Sequence, residues 1–129
     1  MSETKLIYKK YQQAVTNIGT VDKSGKNSFH DFDYVTEPDL LNAIRPALQE
    51  NGLVLHPTLI SRKTTPGINK KGEPITTEDV EMKYTLIDVE TGDAIESVFP
   101  GCAIGTDDKT LAKAMTSCAK YGLIKMFSI

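Results

Sequence analysis

The sequence predicts an α+β fold in which two helices precede a β-β-β-α core, a three-stranded antiparallel meander with a helix packed on it. Three patterns predict this order: two amphipathic helical segments, alternating apolar and polar residues around a hairpin turn, and a last amphipathic segment. With 129 residues, 40% of them hydrophobic, the chain is long enough to bury a core of its own. We therefore expect a single domain over residues 1–129.

The first two helices are predicted from the spacing of their apolar residues and from their end signals. Apolar side chains recur at helical spacing from Thr4 to Ile18, and Gly19 offers a stop. Thr36 and Asp39 form a capping-box pattern at the start of the second helix, and Pro46 is expected to kink it. The predicted buried stripe of the second helix consists of Leu40, Leu41, Ile44 and Leu48.

Two irregular segments are predicted from their polar composition. The residues between the helices predict a polar loop and then a short extended stretch that contains Phe32 and Tyr34. The segment from Lys63 to Asp79 holds two prolines and two glycines, which predicts a long basic loop. We expect this loop to be mobile in the free protein and to close over a bound strand.

Three strands are predicted after the second helix. Leu53–Ser61 is the first, and Pro57 within it indicates an edge strand or a bulge. Apolar and polar residues alternate from Val80 to Leu86, so the second strand should bury one face. Ala94–Phe99 is expected to return as its hairpin partner, and Pro100–Gly101 to break or bulge that strand.

The last helix is predicted to open at Gly105–Asp108 and to run to about Tyr121. Asp107 and Asp108 would then lie in its first turn, where carboxylates complement the helix dipole. At about 100° per residue, four small or apolar residues share one side and four polar ones lie opposite, within a sector of about 60°. The predicted buried side consists of Leu111, Met115, Cys118 and Gly122, and the polar side of Lys109, Lys113, Thr116 and Lys120.

Charge and targeting signals restrict the class of protein. The formal net charge is −2, so the chain is not basic overall. Its cations nevertheless cluster in two stretches, 62–71 and 109–125, and neither stretch contains an acidic residue. Cys102 and Cys118 lack CxxC spacing and are expected to be buried thiols. No signal peptide and no membrane-length apolar run are found, so we expect a cytoplasmic protein.

The sequence offers few candidates for catalysis, and we expect neither enzyme activity, a cofactor nor a resident metal. The two histidines, His30 and His56, have no metal-ligand spacing. Glu81 and Lys83 share one face of a strand, which leaves a metal-dependent nuclease as the alternative from another class. The Asp107–Lys109 turn also permits a magnesium site, against the simpler interpretation of acids that complement the helix dipole.

The lysine side of the last helix is the best candidate for a binding surface. A face that only solubilises a helix usually mixes charges, whereas no glutamate follows Asp108 in this helix. Lysines bind phosphate oxygens whatever the base, and aromatic side chains are available for base stacking. A merely solvated face remains the alternative. The candidate residues for contacts with single-stranded DNA are Lys109, Lys113, Thr116, Lys120, Tyr121, Lys125, Arg62, Lys63, Lys70, Lys71, Phe32 and Tyr34.

The C-terminal run GCAIGTDDKTLAKAMTSCAKYGLIKMFSI resembles the ERF family of phage single-strand annealing proteins. The family pattern is a glycine-ended strand, an acid-rich turn, a K-A-x-T-x-A-x-K-Y-x-L helix and a short hydrophobic strand. The stretch FHDFDYVTEPDLLNAIRPALQENGLVL is similar to the N-terminal half of the family, so the resemblance covers residues 4–129. Its matching C-terminal residues are Gly105, Asp107, Asp108, Lys109, Lys113, Ala114, Thr116, Lys120, Tyr121, Leu123 and Phe127.

The resemblance implies an annealing-recombinase-like fold and a function in DNA recombination and repair. It implies homo-oligomeric rings or filaments that hold single-stranded DNA in a groove and pair complementary strands without ATP or metal. It also implies a phage- or prophage-encoded protein in a bacterial cell, with an ssDNA-binding protein or an exonuclease as candidate partners. A passive single-strand binder is the alternative within this class.

Overall fold

A computed structural model of the chain describes residues 5–27 and 32–129, without the side chains of Asn27 and Phe32. The chain is an α+β protein, as predicted. Three helices accompany a three-stranded antiparallel sheet and a small two-stranded one. In chain order the elements are α1 (Leu6–Ile18), β1 (Gly25–Asn27), β2 (Phe32–Tyr34), α2 (Glu37–Glu50), β3 (Leu53–Ile68), β4 (Pro74–Asp88), β5 (Ala94–Gly105) and α3 (Thr110–Phe127).

The larger sheet is a meander in the order β3-β4-β5, with β4 in the centre. The predicted alternation along β4 is confirmed, because its even-numbered residues from Glu78 to Asp88 are buried beneath the helices while its odd-numbered residues lie on the other face. That second face stays open: Val54, Val98 and Ile104 are each about half exposed or more. The helices therefore cover only one side of the sheet.

The prediction of a long loop between Lys63 and Asp79 is wrong, because most of this segment is β-strand. Strands β3 and β4 stay paired from Lys63–Asp79 out to Ile68–Pro74, and only residues 69–73 form a turn. The Asn69 side chain closes this turn by accepting hydrogen bonds from the backbone N–H groups of Lys71 and Glu73, both at 2.9 Å. We call residues 62–79 the β-arm. The pairing of its two strands could not be predicted from the composition of the segment.

Pro57 and Pro100, for which the sequence predicted an edge or an interruption, both lie on edge strands of the sheet. Pro57 lies on the edge strand β3, as predicted, and the irregularity in this strand falls between Leu59 and Ser61. The break expected at Pro100–Gly101 is absent, because β5 pairs continuously with β4 through Pro100–Glu81 and Gly101–Val80. An edge strand tolerates proline because its unpaired side needs no N–H donor.

Helix α3 is displaced along the chain from its predicted position. It begins at Thr110, so Asp107 and Asp108 lie in the preceding turn and not in the first helical turn. It continues to Phe127, past the predicted end at Tyr121, and replaces the short strand that the family pattern implied. Its buried residues are Thr110, Ala114, Cys118, Gly122, Leu123, Met126 and Phe127, with Leu111 and Met115 partly buried.

The N-terminal helices mostly follow the prediction. Thr36 and Asp39 form the capping box, with Asp39 Oδ2 accepting from the Thr36 N–H at 2.9 Å and holding the Asp39 pKa well below its usual range. Helix α2 runs through Pro46 without interruption, and Ala47 replaces Leu41 in the buried stripe because Leu41 is exposed. The two-stranded sheet of β1 and β2 was not predicted. Within the described ranges, no helix is long and apolar enough to cross a membrane.

Helix α1 is tied to the sheet by a partly buried ion pair. Lys10 Nζ lies 2.8 Å from Oδ1 of Asp88, whose side chain is fully buried, and 2.8 Å from the exposed carboxylate of Glu90. The hydrogen bond from Lys10 lowers the pKa of Asp88 despite its burial. Because a buried charge without its partner is strongly destabilising, this lysine has a structural role.

The close approach of α3 to β5 requires glycine at position 101. A Cβ atom there would lie 2.5 Å from the Ala114 carbonyl oxygen and 2.6 Å from Cβ of Cys118. We predict that Gly101→Ala destabilises the fold by about 1–3 kcal/mol, because a helix backbone cannot yield as a flexible side chain can. Urea unfolding followed by circular dichroism measures this loss.

Gly67→Ala is the matched control in the same sheet. A Cβ at Gly67 would lie 3.6 Å from the nearest atom of Ile75, an ordinary van der Waals contact. The control should change the free energy of unfolding by less than about 0.5 kcal/mol. Equal midpoints for Gly101→Ala and the wild type would contradict this account of the helix–sheet contact.

Candidate nucleic-acid interface

The polar side of α3 points away from the core, as its spacing predicted. Lys109, Lys113 and Thr116 are exposed, and Lys120 is partly buried. Burial of Ala114, Cys118 and Gly122 against the sheet fixes the rotation of the helix, so these polar residues cannot turn inward. The helix therefore presents Lys113 and Thr116 to solvent and Lys120 in part, and we name these three residues the lysine face.

Although no acid follows Asp108 in the helix, Lys113 has an acidic partner in the turn that precedes it. Its Nζ lies 3.7 Å from Oδ2 of Asp107, and both side chains are about half exposed. Oδ1 of Asp107 accepts a hydrogen bond from the Lys109 backbone N–H at 3.1 Å, which holds the carboxylate at the start of the helix. An exposed ion pair of this kind contributes only about 0–1 kcal/mol, so an anionic ligand can displace Asp107.

Among the described residues, Lys120 contacts an aromatic ring and no acid. Its Nζ lies 4.8 Å from the ring centroid of Tyr34, within the range of a cation–π interaction. The small sheet brings Tyr34 there, since β2 pairs with β1 and places Tyr34 opposite Gly25. Sequence reasoning proposed both residues separately but gave no signal that they meet. Phe32, the other aromatic candidate, has its side chain outside the described part of the chain.

Two further candidates of α3 do not share the lysine face. At about 100° per residue, Lys125 lies about 120–140° around the helix from Lys113 and Lys120. Lys125 and Tyr121 instead border a hollow against the edge strand β5, beside Pro100 and Cys102. Tyr121 is 65% exposed, so its ring is accessible. Cys102 is exposed, contrary to prediction, while Cys118 is buried as predicted.

The cations of the β-arm form a third group. Arg62 is paired with Glu78, whose side chain is 95% buried: Arg62 Nη2 lies 2.8 Å from Oε1 and Nε lies 3.0 Å from Oε2. This bond lowers the pKa of Glu78, and Thr64 donates to the same carboxylate. Lys63 lies on the opposite face of the strand, and Lys70 and Lys71 are exposed in the turn. Arg62 therefore stabilises the arm, while the three lysines stay accessible.

An apolar groove of about 500 Å³ runs beside the lysine face, between α2, α3 and the edge strand β3. Its walls include Leu41, Leu55, Pro57, Met115 and Ala119, and Thr116 stands at its margin. Tyr84 reaches it from beneath; burial raises the pKa of this phenol, and its hydroxyl has no hydrogen-bond partner among the described residues. Most of the groove lining is apolar.

The residues of the nuclease alternative lie on the open face of the sheet. Glu81 and Lys83 do share that face, as their spacing predicted, and Lys83 Nζ lies 3.5 Å from the Glu96 carboxylate. His56 lies on the same face at the edge strand, whereas His30 falls outside the described residues. Across residues 5–27 and 32–129, no three His, Cys, Asp or Glu side chains are grouped as metal ligands.

Comparison with known proteins identifies the family. No curated protein matches the chain. A family model, the ERF superfamily, matches residues 7–129 and so includes α1, both sheets and the lysine face of α3. This match agrees with the resemblance that the sequence carries, and the chain belongs to the ERF superfamily.

Proposed function

We propose that this protein binds single-stranded DNA and anneals complementary strands in homologous recombination, without ATP and as a homo-oligomer. The observation that carries the proposal is the exposed lysine face of α3 in a chain that belongs to the ERF superfamily. Membership of this family supports a function in single-strand annealing. We place the activity in the cytoplasm of a bacterial host, with an ssDNA-binding protein or an exonuclease as candidate partners.

The chemistry of the lysine face suits annealing. Two DNA strands repel each other through their phosphates, and a protein that neutralises the backbones lowers the barrier to their encounter. Ammonium groups contact phosphates without regard to sequence, so the base edges stay free to test pairing. Lys113 and Lys120 are the proposed phosphate contacts, with Lys109 beside them, and the hydroxyl of Thr116 is a further candidate donor.

The remaining candidates form an accessory surface in this proposal. Lys63, Lys70 and Lys71 on the β-arm would contact the strand electrostatically, and Tyr121 with Lys125 would hold a nucleotide beside β5. Arg62 supports the arm through Glu78 and contributes little free charge.

Mixing the protein with complementary oligonucleotides tests the function against its alternatives. We expect faster duplex formation in EDTA and without ATP, measured by loss of fluorescence from a donor-labelled strand on pairing with a quencher-labelled one. Binding without faster pairing would identify a passive single-strand binder. Magnesium-dependent cleavage that is lost in Glu81→Gln would identify a nuclease and contradict the proposal.

The lysine face is tested by Lys113→Ala combined with Lys120→Ala. Each phosphate contact on single-stranded DNA releases about 0.7 of a counterion, so the slope of log K against log salt should decrease by about 1.4 per protomer. Affinity should fall similarly for all base sequences, because phosphate contacts carry no base information. Fluorescence anisotropy over a salt series measures both quantities.

Lys5→Ala combined with Lys9→Ala is the matched control, because it removes two exposed lysines from the N-terminal region. The control keeps the same net charge as the test variant and should retain the wild-type slope within about 0.5. If both variants behave alike, net charge and not the lysine face governs binding.

The sheet geometry supports self-association. Within the described residues, β3 and β5 have no strand partner on their outer sides, and the open sheet face carries Val54, Val98 and Ile104. Unpaired strand edges and exposed apolar side chains are stabilised by a neighbouring copy. We predict a homo-oligomer, either a ring or a filament, in sedimentation velocity at micromolar protein. A monomer both with and without single-stranded DNA would contradict this prediction.

A further inference from the structure

The contact between Lys120 and Tyr34 is built into the small sheet. Gly25 of β1 lies directly opposite Tyr34 of β2. A Cβ atom at Gly25 would lie 2.4 Å from Cε2 and 2.6 Å from Cζ of the Tyr34 ring. The ring therefore lies against the Gly25 backbone, where only glycine leaves room for it. The Lys120 ammonium approaches the same ring to 4.8 Å from its centroid.

This arrangement restricts what Tyr34 can do. Tyr34 is 38% exposed as a residue, and its ring has the Gly25 backbone against it and the ammonium of Lys120 close to its π system. A nucleobase that stacked on it would have to displace one of these neighbours. Tyr34 thus differs from Tyr121, which is 65% exposed and forms the border of an open hollow.

The two central lysines of α3 are held by different chemistry. Lys113 is paired with the carboxylate of Asp107, which a phosphate must replace. An aromatic ring attracts an ammonium through its quadrupole and carries no net charge, so Lys120 keeps its full charge for an anion. Holding the long side chain in one place also reduces the rotamer entropy that a phosphate contact would remove.

We propose that Tyr34 is a positioning residue: it holds the Lys120 ammonium where a DNA phosphate can bind it, and it does not stack on a base. Gly25 leaves the space in which the Tyr34 ring lies. This proposal rests on the proposed function, because it requires that Lys120 contacts the backbone of single-stranded DNA. It changes the role of Tyr34 from direct base contact to support of a phosphate contact.

The test measures the affinity of Tyr34→Leu, Lys120→Ala and their combination for two ligands. One ligand is an oligothymidylate, and the other is a strand of the same length whose nucleotides are all abasic. Tyr34→Leu should weaken binding about two- to fivefold, equally on both ligands, because phosphates are present in both. In the Lys120→Ala background it should have no further effect. The matched control Tyr34→Phe keeps the ring and should bind as the wild type does.

Two results would overturn the proposal while leaving the proposed function intact. A loss in Tyr34→Leu on oligothymidylate that vanishes on the abasic strand would show that Tyr34 stacks on a base. A loss of equal size in the Lys120→Ala background would show that Tyr34 acts independently of Lys120. If the wild type binds neither ligand, the proposed function itself fails.

A measurement without DNA tests the contact directly. Lysines labelled by reductive ¹³C-methylation give one resonance each, and the Lys120 resonance is identified by its absence in Lys120→Ala. Ring current from Tyr34 should shift this resonance upfield in the wild type and in Tyr34→Phe, but not in Tyr34→Leu. Gly25→Ala should lose the shift as well, because its Cβ displaces the ring. A resonance that stays unchanged in Tyr34→Leu would overturn the proposal.

Discussion

The close contact of α3 with the sheet is the constraint on which the rest of the structure depends. A Cβ at Gly101 would lie 2.5 Å from the Ala114 carbonyl oxygen, so this glycine lets β5 approach the backbone of α3. A Cβ at Gly105 or Gly122 would lie 2.5–2.8 Å from the side chain of Thr110 or Phe99, so both also keep the helix close to the sheet. A helix seated this closely cannot rotate about its own axis without a clash. Its period of 3.6 residues then determines which side chains face outward. The position of the lysine face is thus set by small residues on the opposite side of the same helix.

Burial of the partner separates structural cations from cations that are available to a ligand. Lys10 and Arg62 bind the carboxylates of Asp88 and Glu78, whose side chains are at least 95% buried, so removal of either cation leaves a poorly solvated charge. Lys113 has a half-exposed acid as its partner, and Lys120 has a neutral ring. The lysine face can therefore exchange its partners at low cost, so a chain with a net charge of −2 still presents cations that an anionic ligand can reach.

Local patterns in the sequence predicted the elements that carry strong periodicity. The alternation from Val80 to Leu86 and the capping box at Thr36 depend on neighbouring residues only, and both predictions are confirmed. The β-arm was missed because its strands are rich in threonine, proline and glycine, and their stability comes from pairing with each other. The contact of Lys120 with Tyr34 could not be predicted either, because it depends on how the small sheet packs against α3. The sequence thus indicated which residues carry charge, but not which partner holds each one.

Weak, separate contacts suit the proposed annealing reaction better than a few strong ones. In the proposed oligomer, a long strand would be held by lysines from several protomers, and the combined affinity would come from linkage. One protomer could then release its phosphates while its neighbours retain the strand, and a complementary strand could test pairing over the released stretch. An ion pair with a buried carboxylate, such as that of Arg62 with Glu78, would not permit this local exchange. The Asp107 carboxylate beside Lys113 and the Tyr34 ring beside Lys120 would both permit this exchange. Each holds its lysine weakly enough for a phosphate to bind the ammonium group.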